Sequence, residues 1–419
     1  MIKSEICIAG ILAFSVLPAA QAENWPEWRG ASGTGAAEGE SYPTHFSNSD
    51  GVLWKQTLPG RGSSTPVVWA DRIFLTADVD GISTVVCYHE SGKKLWERAL
   101  GSGAGGKHRA SSGSNPSPVT DGERVYVYFH SGALAAFDLK GKEVWAQNLQ
   151  ETYGPAELNF DVGTSPVLIR DGVMIAVMHK GESYLAAFDR SDGRERWKSS
   201  REFDASGESN DAYTTPFVVR DGETESLLTW GADHLAAFDA ETGRSLWSCG
   251  GFNPEGKQNW RTIASAVVAE GIALVPYGRG DFLAGVAVDG TGDVTASSKR
   301  WVREDVGADV PTPVVFDGRA YLLRDRGALH CLDIQTGKDH WTARLPKHRE
   351  RYFASPLLAG DRIYCARLDG VVMVGRVSGV GFELSAENDL TEPIVASPIA
   401  VNGRLLIRGD KTLYCIGPK

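Results

Sequence analysis

The sequence predicts an all-β protein, an eight-bladed β-propeller of four-stranded antiparallel blades, on three observations. A small hydroxyl residue followed by Pro recurs at Thr65-Pro66, Ser117-Pro118, Ser165-Pro166, Thr215-Pro216, Thr312-Pro313, Ser355-Pro356 and Ser397-Pro398, and Ser265-Ala266 fills the one gap. These eight sites lie 42 to 52 residues apart, the period of one blade. Each precedes three short apolar stretches separated by Gly and Asp turns, and most repeats then close on Asp, Gly and Trp. The 3.6-residue apolar periodicity of long helices is missing.

Residues 1–22 read as a signal peptide. Lys3 gives a basic start, Ile6 to Leu17 is mostly apolar, and Ala20-Gln21-Ala22 is an A-x-A cleavage site. The apolar core is too short for a membrane span, and Glu23 rather than Cys follows the cut, so no lipid anchor is expected. Residues 23–50, with Trp25 and Trp28, lie outside the repeats. They read as an extended segment packed on the propeller flank, or as part of a ligand site. The propeller itself is assigned to residues 51–419.

The fourth repeat shows the blade pattern. Thr215-Pro216 opens an inner strand through Val219, Asp221-Gly222 turns, and Ser226 to Trp230 form the second strand. Leu235 to Asp239 form the third, Thr242-Gly243 turn again, and Ser245 to Trp247 form the outer strand. The ending Ala187-x-Asp189-x3-Gly193-x3-Trp197 recurs as Ala237 to Trp247 and as Cys331 to Trp341. The second repeat runs one residue shorter, from Ala136 to Trp145. The first has Tyr88 in place of Asp, the fifth carries an insertion before Trp301, and the seventh has Phe382 in place of Trp. A Trp on the outer strand can lie flat on the neighbouring blade where Gly permits close approach. The Asp can accept hydrogen bonds from turn amides. The last repeat lacks its outer strand, and Gly51 to Leu58, with the otherwise unassigned Trp54, supplies it. Closure of this kind removes exposed sheet edges.

This pattern resembles the PQQ-type repeat of the quinoprotein dehydrogenases and of the BamB-like propellers. Trp25-Pro26-Glu27-Trp28-Arg29-Gly30 is similar to the W-P-x-W-R-G opening of exported bacterial members. For the dehydrogenase branch the resemblance implies PQQ with calcium, the quinone stacked between a Trp and a disulfide of adjacent cysteines, beside a catalytic Asp. This chain has no adjacent Cys pair, so no catalytic residue is carried over. For the BamB-like branch it implies binding or scaffolding.

Composition narrows the function. The net charge of -10 argues against nucleic-acid binding, which rests on phosphate neutralisation. Of six cysteines, five remain after processing: Cys87, Cys249, Cys331, Cys365 and Cys415. Cys331 and Cys415 occupy the slot held elsewhere by Ala136, Ala187 and Ala237, which reads as small core filling. Gly101-x4-Gly106-Lys107 falls short of a phosphate loop, because His108 stands where Ser or Thr is needed. No paired C-x-x-C, H-E-x-x-H or haem attachment motif is present.

The candidate site is therefore the face where inter-blade loops and second-to-third-strand turns converge on the channel. Blades five to eight place Trp260, Arg261, Tyr277, Arg279, Arg324, Arg326, Arg351, Tyr352, Arg367 and Arg408 there. Blades one to four place Asp78, Asp80, Asp161, Asp211, Asp233 and Tyr213 there. A mouth with a cationic and an anionic half would suit a peptide, a glycan or a small anionic ligand. The plain alternative is local pairing: Arg279 with Asp281, Arg324 and Arg326 with Asp325, Arg367 with Asp369, Arg408 with Asp410. The expectation is an exported, monomeric, non-catalytic binding or scaffolding propeller, periplasmic or secreted, with a protein, glycan or small-molecule partner. The alternative is a PQQ-dependent oxidoreductase using Asp161, Asp211 or Asp309 as base.

Overall fold

In a computed structural model the described residues are 23–39, 41–103, 106–205 and 207–418. The segment read as a signal peptide lies outside them.

Eight sheets of antiparallel strands follow one another around a channel. The fourth blade has strands Phe217–Asp221, Thr224–Gly231, His234–Asp239 and Ser245–Cys249, within a few residues of the sequence assignment. The ring closes through the N-terminal strand. Val52–Thr57 pairs antiparallel with Thr412–Ile416, placing Trp54 opposite Cys415. The last blade thus takes its outer strand from the beginning of the propeller.

The recurrent hydroxyls explain themselves at the channel wall. The amide of each one donates to the side-chain oxygen of the next: Thr65 to Ser117, Ser117 to Ser165, Ser165 to Thr215 and Thr215 to Ser265, at 2.9–3.0 Å. Ser265 donates to Thr312, Thr312 to Ser355, Ser355 to Ser397, and Ser397 back to Thr65, at 2.9–3.3 Å. The inner edge of each blade would otherwise leave these amides unpaired in a buried wall. Pro at the next position has no donor to lose. Ser265 keeps the hydroxyl although Ala266 replaces Pro, so the hydroxyl is the element the ring requires.

A second ring lies at the periphery. Trp54 Nε1 donates to Glu90 O, Trp96 to Leu139 O, Trp145 to Arg190 O, Trp197 to Ala240 O, Trp301 to Ile334 O and Trp341 to Ser378 O, each in the next blade. Several of these indoles lie flat on a turn glycine; an added Cβ at Gly92 would come within 2.8 Å of Trp54. A small residue sits across the sheet from each indole, as with Ala136–Trp145, Cys331–Trp341 and Cys87–Trp96. This is why Cys substitutes for Ala there. Trp247 departs from the pattern because the insertion of the fifth blade returns as Gly292–Asp293 and pairs alongside it. The repeat Asp caps its turn: Asp239 accepts from the Glu241 and Thr242 amides, and Asp333 from the Thr336 amide.

Residues 23–39 cross the lower face of the disc, where first-to-second and third-to-fourth strand turns lie. The Glu23 carboxylate accepts from the Asn402 amide, and Trp25 exchanges backbone hydrogen bonds with Val68. Pro26 O accepts from Thr120, and Thr34 O from Val315. Ala36–Ala37 adds in parallel to the inner edge of Leu357–Ala359. Arg29, 5% exposed, reaches the channel wall and donates to Pro356 O and Pro313 O at 3.0 and 3.1 Å. Burial lowers its pKa to about 9, still protonated at neutral pH. The strap thus bridges the blades across the lower end of the channel.

Candidate functional site

The channel holds a cavity of ≈ 390 Å³, within the roughly 300–1,000 Å³ range of small-molecule sites. Trp28 from the strap borders it below, and seven of the eight ring hydroxyl residues line it. Above them the inter-blade loops contribute Phe160, Tyr213, Ile263, Phe353 and Val395, with Asp161, His108 and Arg261 as polar groups. Loops supply this wall because each ring hydroxyl stands two residues before an inner strand, which brings residues of the preceding loop close to the axis.

Asp161 is 3% exposed. Its Oδ2 accepts from the Lys107 amide at 2.7 Å and from the Ser111 hydroxyl. Its Oδ1 has no hydrogen-bond partner and lies 4.0 Å from His130 Nε2. Burial lowers the His130 pKa against the opposing pull of Asp161. Nδ1 of that ring accepts from the Val162 amide, so the neutral ring carries its proton on Nε2. Lys107 Nζ donates to Leu158 O, a structural use quite unlike a phosphate-loop lysine. Asp211 Oδ2 accepts from the Asn159 amide, and Tyr213 Oη accepts from the Phe160 amide.

Arg261 pairs with Asp309 at 2.8 Å and lies 6.0 Å from the Phe160 ring centre. Arg279 bridges Glu208 at 3.1 Å and Asp309 at 3.8 Å, and Arg324 pairs with Asp281. These pairs cross between blades, which corrects the local pairing read from the sequence for Arg279 and Arg324. Arg367 does pair with Asp369 as its neighbour in sequence, through two bonds of 2.8 and 3.0 Å. Arg408 does not pair with Asp410; it binds Ser64 and Thr76 instead. The cationic half is in part neutralised, because Asp309 and Glu208 pair with Arg261 and Arg279, and Asp281 pairs with Arg324.

Of the candidate residues, Asp161, Tyr213 and Arg261 share the cavity, and Asp211 supports it from behind. Tyr277 is buried at 1% exposure, donating to Asp233 and packing edge-on against Trp230 and Trp260. Tyr352 is buried likewise, and Trp260 covers Tyr277 and Phe282. Aromatic residues this large serve the blade interfaces first. Arg326 and Arg351 are exposed away from the cavity. Phe160, Phe353, His108 and Arg61 were missed. Arg61 had a legible signal: like Asp161, Asp211, Arg261 and Arg351, it stands four residues before its ring hydroxyl.

A sequence model of the family described as "Outer membrane protein assembly factor BamB" matches residues 44–210, 184–299 and 285–378. Among solved structures, BamB from Moraxella catarrhalis is similar, with a TM-score of 0.60 and 15% identity over 88% of this chain and 97% of that one. Quinohemoprotein alcohol dehydrogenase from Comamonas testosteroni has a TM-score of 0.66 and 15% identity, over 94% and 81% of the two chains. A europium-containing methanol dehydrogenase has a TM-score of 0.70 and 10% identity, over 94% and 98%. At such identities these likenesses show the fold alone. No curated protein matches the sequence.

The residues present do not fit PQQ with calcium as the resemblance implied it. The five cysteines among the described residues are free and buried inside blades, and burial pushes the Cys331 and Cys415 thiols up to about 11. Among the described residues no three His, Cys, Asp or Glu side chains are grouped to hold a metal ion. The channel carboxylates are instead engaged by Arg261, backbone amides and Ser111. With the ring of hydroxyls, the peripheral indoles and a family match over most of its length, the chain belongs to the outer membrane protein assembly factor BamB family of PQQ-like repeat β-propellers.

Proposed function

We propose that the protein is an exported, non-catalytic binding propeller whose channel cup receives a small anionic compound, a sugar or the tip of a peptide. The observation that carries this reading is the strap under the channel. It turns a through-hole into a cup with an aromatic floor, Trp28, and aromatic walls from Phe160, Tyr213 and Phe353. Flat rings in that setting stack on planar or sugar-like groups. Arg261 offers an oriented guanidinium at the rim. Export is supported by the family's outer-membrane role and by the A-x-A site, and no helix among the described residues is long and apolar enough to cross a membrane.

A thermal-shift screen with short peptides, mono- and disaccharides and organic acids tests the reading, since a ligand of the folded state raises apparent stability by mass action. A saturable shift that is lost in Trp28→Ala and in Arg261→Ala is the expected result. Binding untouched by both substitutions would place the ligand elsewhere. A saturable shift with PQQ and calcium would favour the oxidoreductase alternative.

A further inference from the structure

A second cavity, of ≈ 450 Å³, opens beside the cup where the loops of blades seven, eight and one meet, and it shares Ser63, Ala110, Ser111 and Val395 with the cup. Arg408 forms part of its wall. This side chain is 1% exposed, and its Nη1 donates to Ser64 O, Ser64 Oγ and Thr76 O at 3.2, 2.5 and 2.8 Å. Its Nε and Nη2 have no hydrogen-bond partner, and among the described residues no carboxylate lies within ion-pairing distance of it. A buried, unpaired charge of this kind is costly unless something compensates it. The guanidinium lies directly under the loop that lines the cavity, because a Cβ at Gly62 would overlap Nη2.

The other charges do not supply the compensation. Asp410 faces Arg61 at 3.8 Å. Asp369 is held by Arg367 at 2.8 Å, with His348 at 3.5 Å. Glu350 alone answers both Arg109, at 3.5 Å, and Arg349, at 3.7 Å. The balance leaves two positive charges, one from Arg408 and one from the Arg109–Arg349 pair, on a protein whose net charge is -10. The side chains of Arg61, Arg109 and Arg349 stand here around the hydroxyls of Ser63, Ser111 and Ser112.

We propose that this cavity is an oxyanion site that takes a compact, doubly charged group of the phosphate or sulfate kind, free or as an ester. Guanidinium groups match such oxygens with two parallel hydrogen bonds, and a partly enclosed site strengthens the attraction. The cations that carry the site, Arg109, Arg349 and Arg408, are not among the residues that line the cup.

The test is calorimetric titration of the full mature protein with inorganic phosphate, sulfate and methyl phosphate, with chloride at matched ionic strength as control. Saturable binding of the oxyanions and none of chloride is expected, and tighter binding of methyl phosphate than of phosphate would identify the ester as the natural form. Arg109 and Arg349 are 73% and 88% exposed at their side chains, so Arg109→Ala/Arg349→Ala should fold normally and bind about fivefold or more weakly. Arg408→Lys keeps the charge but loses the planar fork and should bind about tenfold more weakly. No saturable response of the wild-type protein at millimolar phosphate or sulfate would overturn the inference. So would full affinity in the Arg109/Arg349 double variant, which decides the matter even if Arg408→Lys fails to fold.

Discussion

The amide of Ser397 donates to Thr65 Oγ1 at 3.3 Å, joining the hydroxyl residue that precedes the last inner strand to the matching residue before the first. This bond completes a hydrogen-bonded circle that no single blade could form. It also makes the inner seam between blades eight and one match the other seven, and the chain crosses this seam as it crosses the others, from an outer strand, here Val52–Thr57, to the hydroxyl of the next blade, Thr65.

Removing that acceptor should open the seam. Thr65→Val leaves the Ser397 amide buried and unpaired, with an expected loss of about 1–3 kcal/mol in denaturant unfolding. Thr65→Ser keeps the acceptor and should lose less. Equal effects of Val and Ser would mean that the hydroxyl is not what matters.

The outer seam offers a separate check. Gly92 has φ +86, and an added Cβ would meet Trp54 at 2.8 Å. Gly92→Ala should therefore cost about 1–2 kcal/mol or more through backbone strain and a displaced indole. Trp54→Phe, which forfeits only the bond to Glu90 O and some contact area, should cost less. Melting temperatures of the two variants would establish the order.

Glu27 in the strap gives a pH dependence. Burial pushes its carboxyl up from 4.5 to about 7, with Arg220 opposing. The folded state therefore binds more protons than the unfolded state between those values, and this group's contribution to stability falls as pH rises from about 4.5 to 7. Glu27→Gln should remove the fall: the variant should be about 1–2 kcal/mol more stable than wild type at pH 8 and equal to it at pH 4. Unfolding curves at the two pH values would show it.

The strap itself should be releasable by one methyl group. Gly35 has φ +78, and a Cβ there would overlap the Arg29 guanidinium. Gly35→Ala should free residues 23–50 to limited proteolysis while the blades stay folded, and lower stability by about 2 kcal/mol or more. Proteolysis no faster than in wild type would show that Arg29 is not the anchor.

Blade count, strand order and the loan of Val52–Thr57 to the last blade were legible in the chain because each rests on a local signal repeated eight times. Period, hydroxyl-proline, turn glycine and indole all report the same unit. The site was legible only in part. Asp161 and Arg261, four residues before their ring hydroxyls, and Tyr213, two before its own, reached the cavity, whereas Arg351, at the same four-residue spacing, did not. Tyr277 and Tyr352 could not be placed, since an aromatic at the same loop end can point to the axis or into the blade interface, and packing decides.

Residue order alone determined a closed ring of eight similar sheets, because each sheet needs only its own alternation of apolar strands and turns. Tertiary structure decided three things that residue order left open. Arg261, Arg279 and Arg324 found acids in neighbouring blades rather than beside them in sequence. Arg408 went into the wall without an acid. Residues 23–39 passed beneath the channel and put Trp28 at its floor. In each case the outcome depends on which side chains from different blades come within a few ångströms, and ring closure sets those distances.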